Sequence, residues 1–219
     1  MRKLVVAGFF LMTLVAATAQ AQHDHFSDPA YPGVPNKAKP AEPVREYSLW
    51  LSPSGEEFTY TKRLICTLDG VYESHCFDPH VTVVGELKGT LTEITQVAAR
   101  LAKETHPLEA RFAGVDWTDD YWKSFYLHIN DTGIFHKLYD DTCRITGKCH
   151  PWPYHMSLMY TDKLSVEQKK DLVGALMKGD FQFRNFIQSA SIRLDRLRIC
   201  TSGDVPEDWV CPVEIQLPD

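Results

Sequence analysis

The sequence has no Cys-x-x-Cys pair, no excess of basic residues and no apolar run long enough to cross a bilayer. The first absence argues against a zinc ribbon or a dithiol redox motif, because both use closely spaced cysteines. The net charge is −6 at pH 7, whereas proteins that track long nucleic acids by their phosphates usually carry a basic face. We therefore expect neither a long nucleic acid nor a membrane as a partner.

The first 43 residues have the composition of a targeting segment followed by a linker. Two basic residues precede an apolar run that ends near Ala17, and two overlapping A-x-A sites follow. This pattern predicts a secretory signal peptide over residues 1–21, so we expect the mature protein to be secreted or extracytoplasmic, periplasmic if bacterial. Residues 22–43 contain five prolines and few apolar residues, which predicts a flexible linker ahead of one folded domain over residues 44–219.

All six cysteines follow the predicted signal peptide, and an even number in an exported protein predicts disulfide bonds. Six cysteines allow about fifteen connectivities, so the sequence leaves the pairing open. Cys143 with Cys149 is the pairing best supported, and closing so short a loop contributes roughly 2–2.5 kcal/mol in the chain-entropy model. The simplest completion joins Cys66 to Cys76 and Cys200 to Cys211.

Two short apolar runs, residues 79–85 and 153–160, carry polar residues at alternate positions. Both are rich in strand-forming residues and follow a proline, which is typical of a strand start. Since side chains alternate faces along a strand, each run buries apolar residues on one side and presents a histidine and a hydroxyl on the other. The polar pairs that share a face in this way are His80 with Thr82 and His155 with Ser157.

A His-x-Thr/Ser triplet is weak evidence by itself, since His25-Phe26-Ser27 repeats it inside the Pro-rich segment. The alternative interpretation is an ordinary core strand, in which the histidine and the hydroxyl only satisfy each other's hydrogen bonds. The order of elements is more informative, because each half of the chain reads strand, helix, His strand, helix, strand. We therefore predict a bilobal α+β fold, with two pseudo-symmetric lobes that each have a mostly antiparallel sheet and outer helices. The His strands would then meet at an active-site cleft between the lobes.

Local signals mark several element boundaries. Capping boxes are predicted at Ser54, Thr90 and Ser165, each with Glu or Gln three residues later. The aromatic run 121–129 and residues 209–217 are predicted to be strands. Near Asp195 the alternation of the strand 191–200 slips by one residue, which indicates a β-bulge.

Two histidines that face one cleft suit phosphoryl chemistry without a metal. One neutral imidazole can accept a proton while the other, charged, donates one, and the two would titrate as a coupled pair. The hydroxyls of Thr82 and Ser157 would bind the phosphate oxygens. No cluster of His, Asp and Glu with metal-ligand spacing lies near either strand, so we expect no metal or cofactor. Asp78 is interpreted as a solvated side chain, because Pro79 disturbs the alternation that would place it beside His80.

The two motifs resemble those of a known family. Phe77–Thr82 and Tyr154–Tyr160 are similar to the paired His-x-Thr/Ser motifs of the two-histidine (2H) phosphoesterases, most of all the plant-type cyclic phosphodiesterases. Tyr47–Trp50, the Cys143–Cys149 loop, and Leu194–Leu197 followed by Cys200 support the likeness. The resemblance implies a bilobal α+β fold and metal-independent hydrolysis of cyclic phosphodiesters. It also implies that Tyr160 lines the site and that Trp50 lies near the bound base.

Sequence and resemblance together predict a monomeric cyclic phosphodiesterase with His80 and His155 as its acid and base. The expected substrate is a small cyclic-phosphate nucleotide or sugar, either a nucleoside 2′,3′-cyclic phosphate or ADP-ribose 1″,2″-cyclic phosphate. Which histidine activates water is left open. Two alternatives remain: a 2′,5′-phosphodiesterase or RNA-end-processing enzyme of the same fold, and a non-catalytic secreted module that binds phosphorylated ligands.

Overall fold

The structure is a computed structural model that describes residues 41–130, 132–179, 181–189 and 191–219. The predicted signal peptide and the linker up to residue 40 lie outside the described residues. Within the described part, seven strands and five α-helices form a mixed α+β fold, which confirms the predicted class. In chain order they are β1 (Arg45–Pro53), α1 (Gly55–Tyr72), β2 (Val81–Gly89), α2 (Leu91–Glu104), β3 (Leu108–Asp116), β4 (Phe125–Ile129), α3 (Gly133–Thr146), β5 (His155–Met159), α4 (Val166–Gly179), α5 (Phe181–Ser189), β6 (Ser191–Thr201) and β7 (Val213–Gln216).

The strands form one sheet in the order β1-β2-β5-β4-β3-β6-β7, with a further pairing between β1 and β6. All of the pairings are antiparallel. The last strand of each half crosses over, since β3 pairs with β4 and β6 pairs with β1. The two His strands are neighbours at the seam, where Val81 is opposite Met156. Because the sheet is continuous, the division into two lobes stays a prediction.

The alternation of buried residues along β1 and β2 creates the two faces of this part of the sheet. Leu49, Leu51, Val81 and Val83 are fully buried in the hydrophobic core. Residues at the intervening positions therefore point to the opposite face, as alternation in a strand requires. That opposite face carries the polar and aromatic side chains of the candidate site.

Two of the three predicted capping boxes are confirmed. Thr90 makes the reciprocal bonds of a capping box, and so do Ser165 and Gln168. The box at Ser54 is wrong: Ser54 is the N-cap of α1, but its side chain makes no capping bond. Its hydroxyl donates instead to a carboxylate oxygen of Asp195, 2.6 Å away on β6. The Ser54 hydroxyl is therefore oriented as a donor to a charged acceptor on another strand and not as an acceptor for the local backbone N–H.

The predicted bulge at Asp195 is confirmed. Ser52 pairs with Arg196 and Pro53 pairs with Leu194, so the register skips Asp195. Leu194 and Asp195 are consequently both buried although they are consecutive. The bulge turns the Asp195 carboxylate towards the start of α1, where it accepts the hydrogen bond described above.

Other boundaries differ from the sequence predictions. The aromatic strand is shorter than predicted, because Tyr121–Lys123 form a 3₁₀ turn. The Asp120 carboxylate caps this turn by accepting a hydrogen bond from the backbone N–H of Trp122. The last strand spans only Val213–Gln216, since a second 3₁₀ turn at Pro206–Asp208 and the following loop precede it. Helix α5 was not expected at all. These boundaries depend on the tertiary packing of short aromatic segments rather than on the local sequence pattern. In α5, for example, Phe183 and Phe186 pack in the hydrophobic core.

Three disulfide bonds join Cys66 to Cys76, Cys143 to Cys149 and Cys200 to Cys211. The structure thus contains the pairing best supported by the sequence, and it resolves the connectivity left open for the other four cysteines as the simplest completion. Three disulfides in a chain of this size are consistent with an oxidising, extracellular location. Within the described part of the chain, no helix is long and apolar enough to cross a membrane.

Candidate active site

A cavity of about 300 Å³ opens on the exposed side of β1, β2 and β5. Its walls come from both halves of the chain and from the loop that follows β6. The six side chains that the sequence nominated for catalysis, phosphate binding and substrate binding all line this one cavity. They are His80, Thr82, His155, Ser157, Trp50 and Tyr160.

The register of the seam fixes how the two motifs face each other. Because Val81 is opposite Met156 in an antiparallel pair, the next positions set His80 across from Ser157 and Thr82 across from His155. The two histidines are thus diagonal neighbours, a relation that typically separates residues by about 7–8 Å. Each imidazole has the hydroxyl of the other motif beside it.

His80 is held by one hydrogen bond and by aromatic packing. Its Nδ1 lies 2.6 Å from the carbonyl oxygen of Asp78, and because a carbonyl can only accept, Nδ1 carries the proton. Nε2 therefore keeps its lone pair. The ring stacks on Trp50 with centroids 3.8 Å apart and an interplanar angle of 11°. Residue His80 is only 4% exposed, so its ring orientation is tightly constrained.

The side chain of Asp78 is 30% exposed, but it is paired with two cations rather than only solvated, as the sequence interpretation had it. Its two carboxylate oxygens bind Lys62 at 3.0 Å and Arg198 at 2.8 Å. Burial tends to raise the pKa of Asp78, but the hydrogen bonds from Arg198 and Lys62 outweigh it and hold that pKa below its usual value. The two ion pairs anchor the backbone whose carbonyl orients His80.

His155 repeats part of this arrangement. Its Nδ1 is buried and makes no well-formed hydrogen bond within the described residues, yet the carbonyl of Pro153 is near enough to favour the charged form. That carbonyl lies two residues before the histidine, as Asp78 lies two residues before His80. The ring packs edge-on against Tyr126, with centroids 5.0 Å apart.

Both motif histidines have depressed pKa values. Burial, assisted by nearby positive charges, lowers the pKa of His80 to about 4 and that of His155 to about 3. In the unliganded protein both imidazoles are consequently neutral near pH 7. A phosphodiester anion bound between them would raise these pKa values, because a negative charge a few ångströms away favours the imidazolium form.

The two hydroxyls nominated for phosphate binding have few partners. Thr82 makes no side-chain hydrogen bond to any described residue, and Ser157 interacts with the Tyr160 phenol and lies 3.5 Å from the Trp122 carbonyl. Tyr160 lies next to Ser157, and burial raises the pKa of its phenol well above the usual value. Its ring stacks on Phe77 with centroids 4.4 Å apart.

Sequence reasoning missed a third histidine of the cavity. His150 lines it, and burial lowers the pKa of His150 to about 4. This residue follows Cys149 directly and lies five positions before His155. Its position at the end of the predicted disulfide loop was the only local signal, since no strand pattern includes it.

Two tryptophans of the cavity were also missed. Trp209 packs edge-on against Trp50 and His80, at centroid distances of 5.2 Å and 6.0 Å. It also stacks on Trp122 at 5.9 Å. The loop that carries Trp209 begins and ends at the Cys200–Cys211 disulfide. A tryptophan enclosed by two cysteines was the available signal, but nothing local connects that loop to the His strands. For Trp50 the structure shows one face already covered by His80.

Among the described residues, no group of three or more His, Cys, Asp or Glu side chains is arranged to hold a metal ion. An antiparallel α+β sheet with a His-x-Thr/Ser triplet on each of two adjacent strands defines a member of the two-histidine phosphoesterase superfamily. More narrowly, the chain belongs to the family described as cyclic phosphodiesterase-like protein, which matches residues 46–191.

Solved structures show the same fold at low sequence identity. The chain is similar to E. coli LigT complexed with phosphate, with a TM-score of 0.51 and 9% identity over 80% of this chain and 99% of that one. For E. coli LigT complexed with 3′-AMP, the TM-score is 0.51 and the identity 10%, over 81% of this chain and 100% of that one. For LigT complexed with NADP+, the TM-score is 0.50 and the identity 11%, over 82% of this chain and 100% of that one. At such identity the likeness concerns the fold alone. A comparison with curated proteins gave no match.

Proposed function

We propose that this protein is a metal-independent cyclic phosphodiesterase that opens a ribose cyclic phosphate to a phosphomonoester. The observation that carries the proposal is the meeting of four side chains, from two distant parts of the chain, in one cavity. They are His80, Thr82, His155 and Ser157.

The reaction follows from this arrangement by acid–base catalysis. One imidazole accepts a proton from water through its unprotonated nitrogen while the water oxygen bonds to phosphorus. The other imidazole donates a proton to the ribose oxygen as its bond to phosphorus breaks. Each such role is typically worth about 10²–10⁴ in rate. Thr82 and Ser157 donate to the non-bridging oxygens, and because these hydroxyls are uncharged they bind the anion without lowering the pKa of the imidazoles.

The tautomer of His80 supports a role in proton transfer. Its Nδ1–H is engaged by the Asp78 carbonyl, so Nε2 is the nitrogen left to face a substrate. The two histidines have similar surroundings, and the assignment of acid and base between them stays open. The structural neighbour LigT has been solved with phosphate and with 3′-AMP, and this supports a small phosphorylated ligand in a cavity of this fold.

Substitution of either histidine tests the proposal. We expect His80→Gln and His155→Gln each to reduce kcat for 2′,3′-cyclic nucleotides by about 10²–10⁴. EDTA should leave the wild-type rate unchanged. The matched control is His106→Gln, because His106 is exposed and bonds only the Pro218 carbonyl far from the cavity. Thermal melting of all three variants verifies folding. Near-wild-type turnover by a folded His80 or His155 variant would reject the proposal.

Product analysis separates the remaining alternatives. A 2′,5′-phosphodiesterase would cleave 2′,5′-linked dinucleotides faster than mononucleotide cyclic phosphates. A non-catalytic module would bind nucleotides in calorimetry and yield no product. The proposed enzyme would convert a 2′,3′-cyclic nucleotide into a single monoester without needing a second nucleotide.

A further inference from the structure

The cavity continues beyond the four motif side chains along β1 and β2. Trp50 is opposite Thr82 at the catalytic end, and the strands run on from there to Glu46. At about 3.3 Å per residue, Ser48 and Glu46 lie roughly 7 Å and 13 Å further along β1. The loop after β6 supplies the facing wall. We call this end the distal pocket, formed by Glu46, Ser48, Gly85, Ser202 and Asp204.

The distal pocket contains a hydroxyl that lacks a partner. Ser48 is 4% exposed and lines the cavity, yet its hydroxyl bonds to no described residue. A Cβ on Gly85 would lie 3.5 Å from Ser48 Oγ, so the glycine leaves this hydroxyl more open to the cavity. Polar groups in a buried position are normally hydrogen-bonded, and a ligand in the cavity would give Ser48 Oγ a partner. Ser202 Oγ, in the facing wall, is itself buried and has no partner in the described part of the chain.

The carboxylates of the distal pocket are also unpaired. Glu46 and Asp204 form no ion pair or hydrogen bond with any described residue, whereas neighbouring Glu86 binds Lys148 at 2.6 Å. The pocket therefore carries a negative, accepting surface. Such a surface favours groups that donate N–H bonds and disfavours a second phosphate.

We propose that the distal pocket binds a nucleobase through its N–H donors and selects guanine, so that the substrates are nucleoside 2′,3′-cyclic phosphates with one phosphate. This rests on the proposed function. Guanine presents its N1–H and its amino group side by side, and a carboxylate can accept both bonds at once. Uracil offers a single N–H between two carbonyls, which oppose the carboxylates. The pyrophosphate of ADP-ribose 1″,2″-cyclic phosphate would be repelled.

Ser202 and Asp204 lie beyond residue 191, where the match to the family model ends. The Cys200–Cys211 disulfide closes the loop that carries both residues, and this loop forms one wall of the distal pocket.

Substrate comparison tests the inference. The wild type should hydrolyse 2′,3′-cyclic GMP with a kcat/KM about tenfold or more above that for 2′,3′-cyclic UMP, the factor expected for bonds to a charged group. ADP-ribose 1″,2″-cyclic phosphate should be the poorest substrate. The isosteric variants Glu46→Gln and Asp204→Asn should reduce the GMP-to-UMP ratio towards one. The control is Glu109→Gln, since Glu109 is exposed on β3 outside the cavity.

Binding provides a second readout that does not require turnover. In calorimetry, 3′-GMP should bind the wild type more tightly than 3′-UMP, and Glu46→Gln should remove the difference. The inference would be overturned if the wild type bound and hydrolysed the guanine and uracil nucleotides equally well. It would also be overturned if Glu46→Gln and Asp204→Asn both kept the wild-type GMP-to-UMP ratio. If no cyclic phosphate is hydrolysed, the proposed function fails. The ratio of the affinities for 3′-GMP and 3′-UMP then still tests whether the distal pocket selects guanine.

Discussion

At the scale of single residues, a backbone carbonyl orients the imidazole of His80. The carbonyl of Asp78, two residues earlier, accepts a hydrogen bond from Nδ1–H of His80. Such a partner fixes the tautomer, which decides the nitrogen that faces the substrate. The carbonyl of Pro153 is the corresponding group for His155, but Nδ1 of His155 makes no well-formed hydrogen bond within the described residues. Asp78 is itself anchored by Arg198 on β6.

The depressed pKa values predict the pH dependence of kcat/KM. The productive form of the free enzyme needs one protonated and one neutral histidine. Since the pKa of His80 is about 4 and that of His155 about 3, this form becomes scarcer as pH rises above 4. We expect kcat/KM to fall between pH 5 and 8 with a slope approaching tenfold per unit, and kcat to peak at a higher pH because bound phosphate raises both pKa values. A kcat/KM that rises from pH 5 to 8 would contradict this.

At the scale of elements, the loop closed by the Cys200–Cys211 disulfide supplies one wall of the cavity. It positions Trp209 against Trp50 and His80. The loop also has a hydrogen bond of its own, from the indole N–H of Trp209 to the Gly203 carbonyl at 2.8 Å. A disulfide that closes a loop of this length contributes about 3 kcal/mol in the chain-entropy model.

Removing this disulfide should affect both stability and activity. We expect the double variant Cys200→Ser/Cys211→Ser to lose about 2–4 kcal/mol of unfolding free energy. It should also raise KM for cyclic nucleotides severalfold, because Trp209 loses its anchor. Cys143→Ser/Cys149→Ser is the comparison, since no residue between these cysteines lines the cavity and only His150, next to Cys149, does. Urea titration and steady-state kinetics measure the two effects; equal KM values in the two double variants would contradict the role given to the loop.

The elements also show what could be predicted from sequence. The short runs that place apolar and polar residues at alternate positions around His80 and His155, and the helix with a reciprocal cap begun by Thr90, carry their signal locally. The cap at Ser54 failed because the competing acceptor, Asp195, is 141 positions away. Helix α5 failed because it depends on packing of its aromatic residues in the core.

At the scale of the whole molecule, the site depends on a fold that brings two distant strands together. The register of Val81 with Met156 confirms that the His strands are adjacent, as the repeated order of elements indicated. His150 and Trp209 could not be placed in the same way. Each reaches the cavity through a loop, and loop positions follow from tertiary contacts rather than from periodicity.

Buried neutral histidines make the stability of the molecule depend on pH. Burial lowers the pKa of His80, His150 and His155 from 6.5 to about 4, 4 and 3. Below pH 6.5 the unfolded chain binds protons that the folded protein excludes, so the free energy of unfolding should fall as pH falls towards 4. Each histidine lowers the free energy of unfolding by up to about 1.4 kcal/mol for each pH unit between 6.5 and its pKa in the folded protein. Urea denaturation at pH 7 and pH 5 measures this, and His155→Gln should weaken the dependence. Higher stability at pH 5 would contradict it.

A crystal structure with a guanosine–vanadate complex, which mimics the five-coordinate phosphorus of the transition state, tests the central claim most directly. The account predicts vanadium between the two motifs, with Nε2 of His80 and an imidazole nitrogen of His155 each at about 2.7–3.2 Å from opposite apical oxygens. Thr82 and Ser157 should donate to the equatorial oxygens. Vanadate that contacts only one histidine, or binds outside the cavity, would contradict the account.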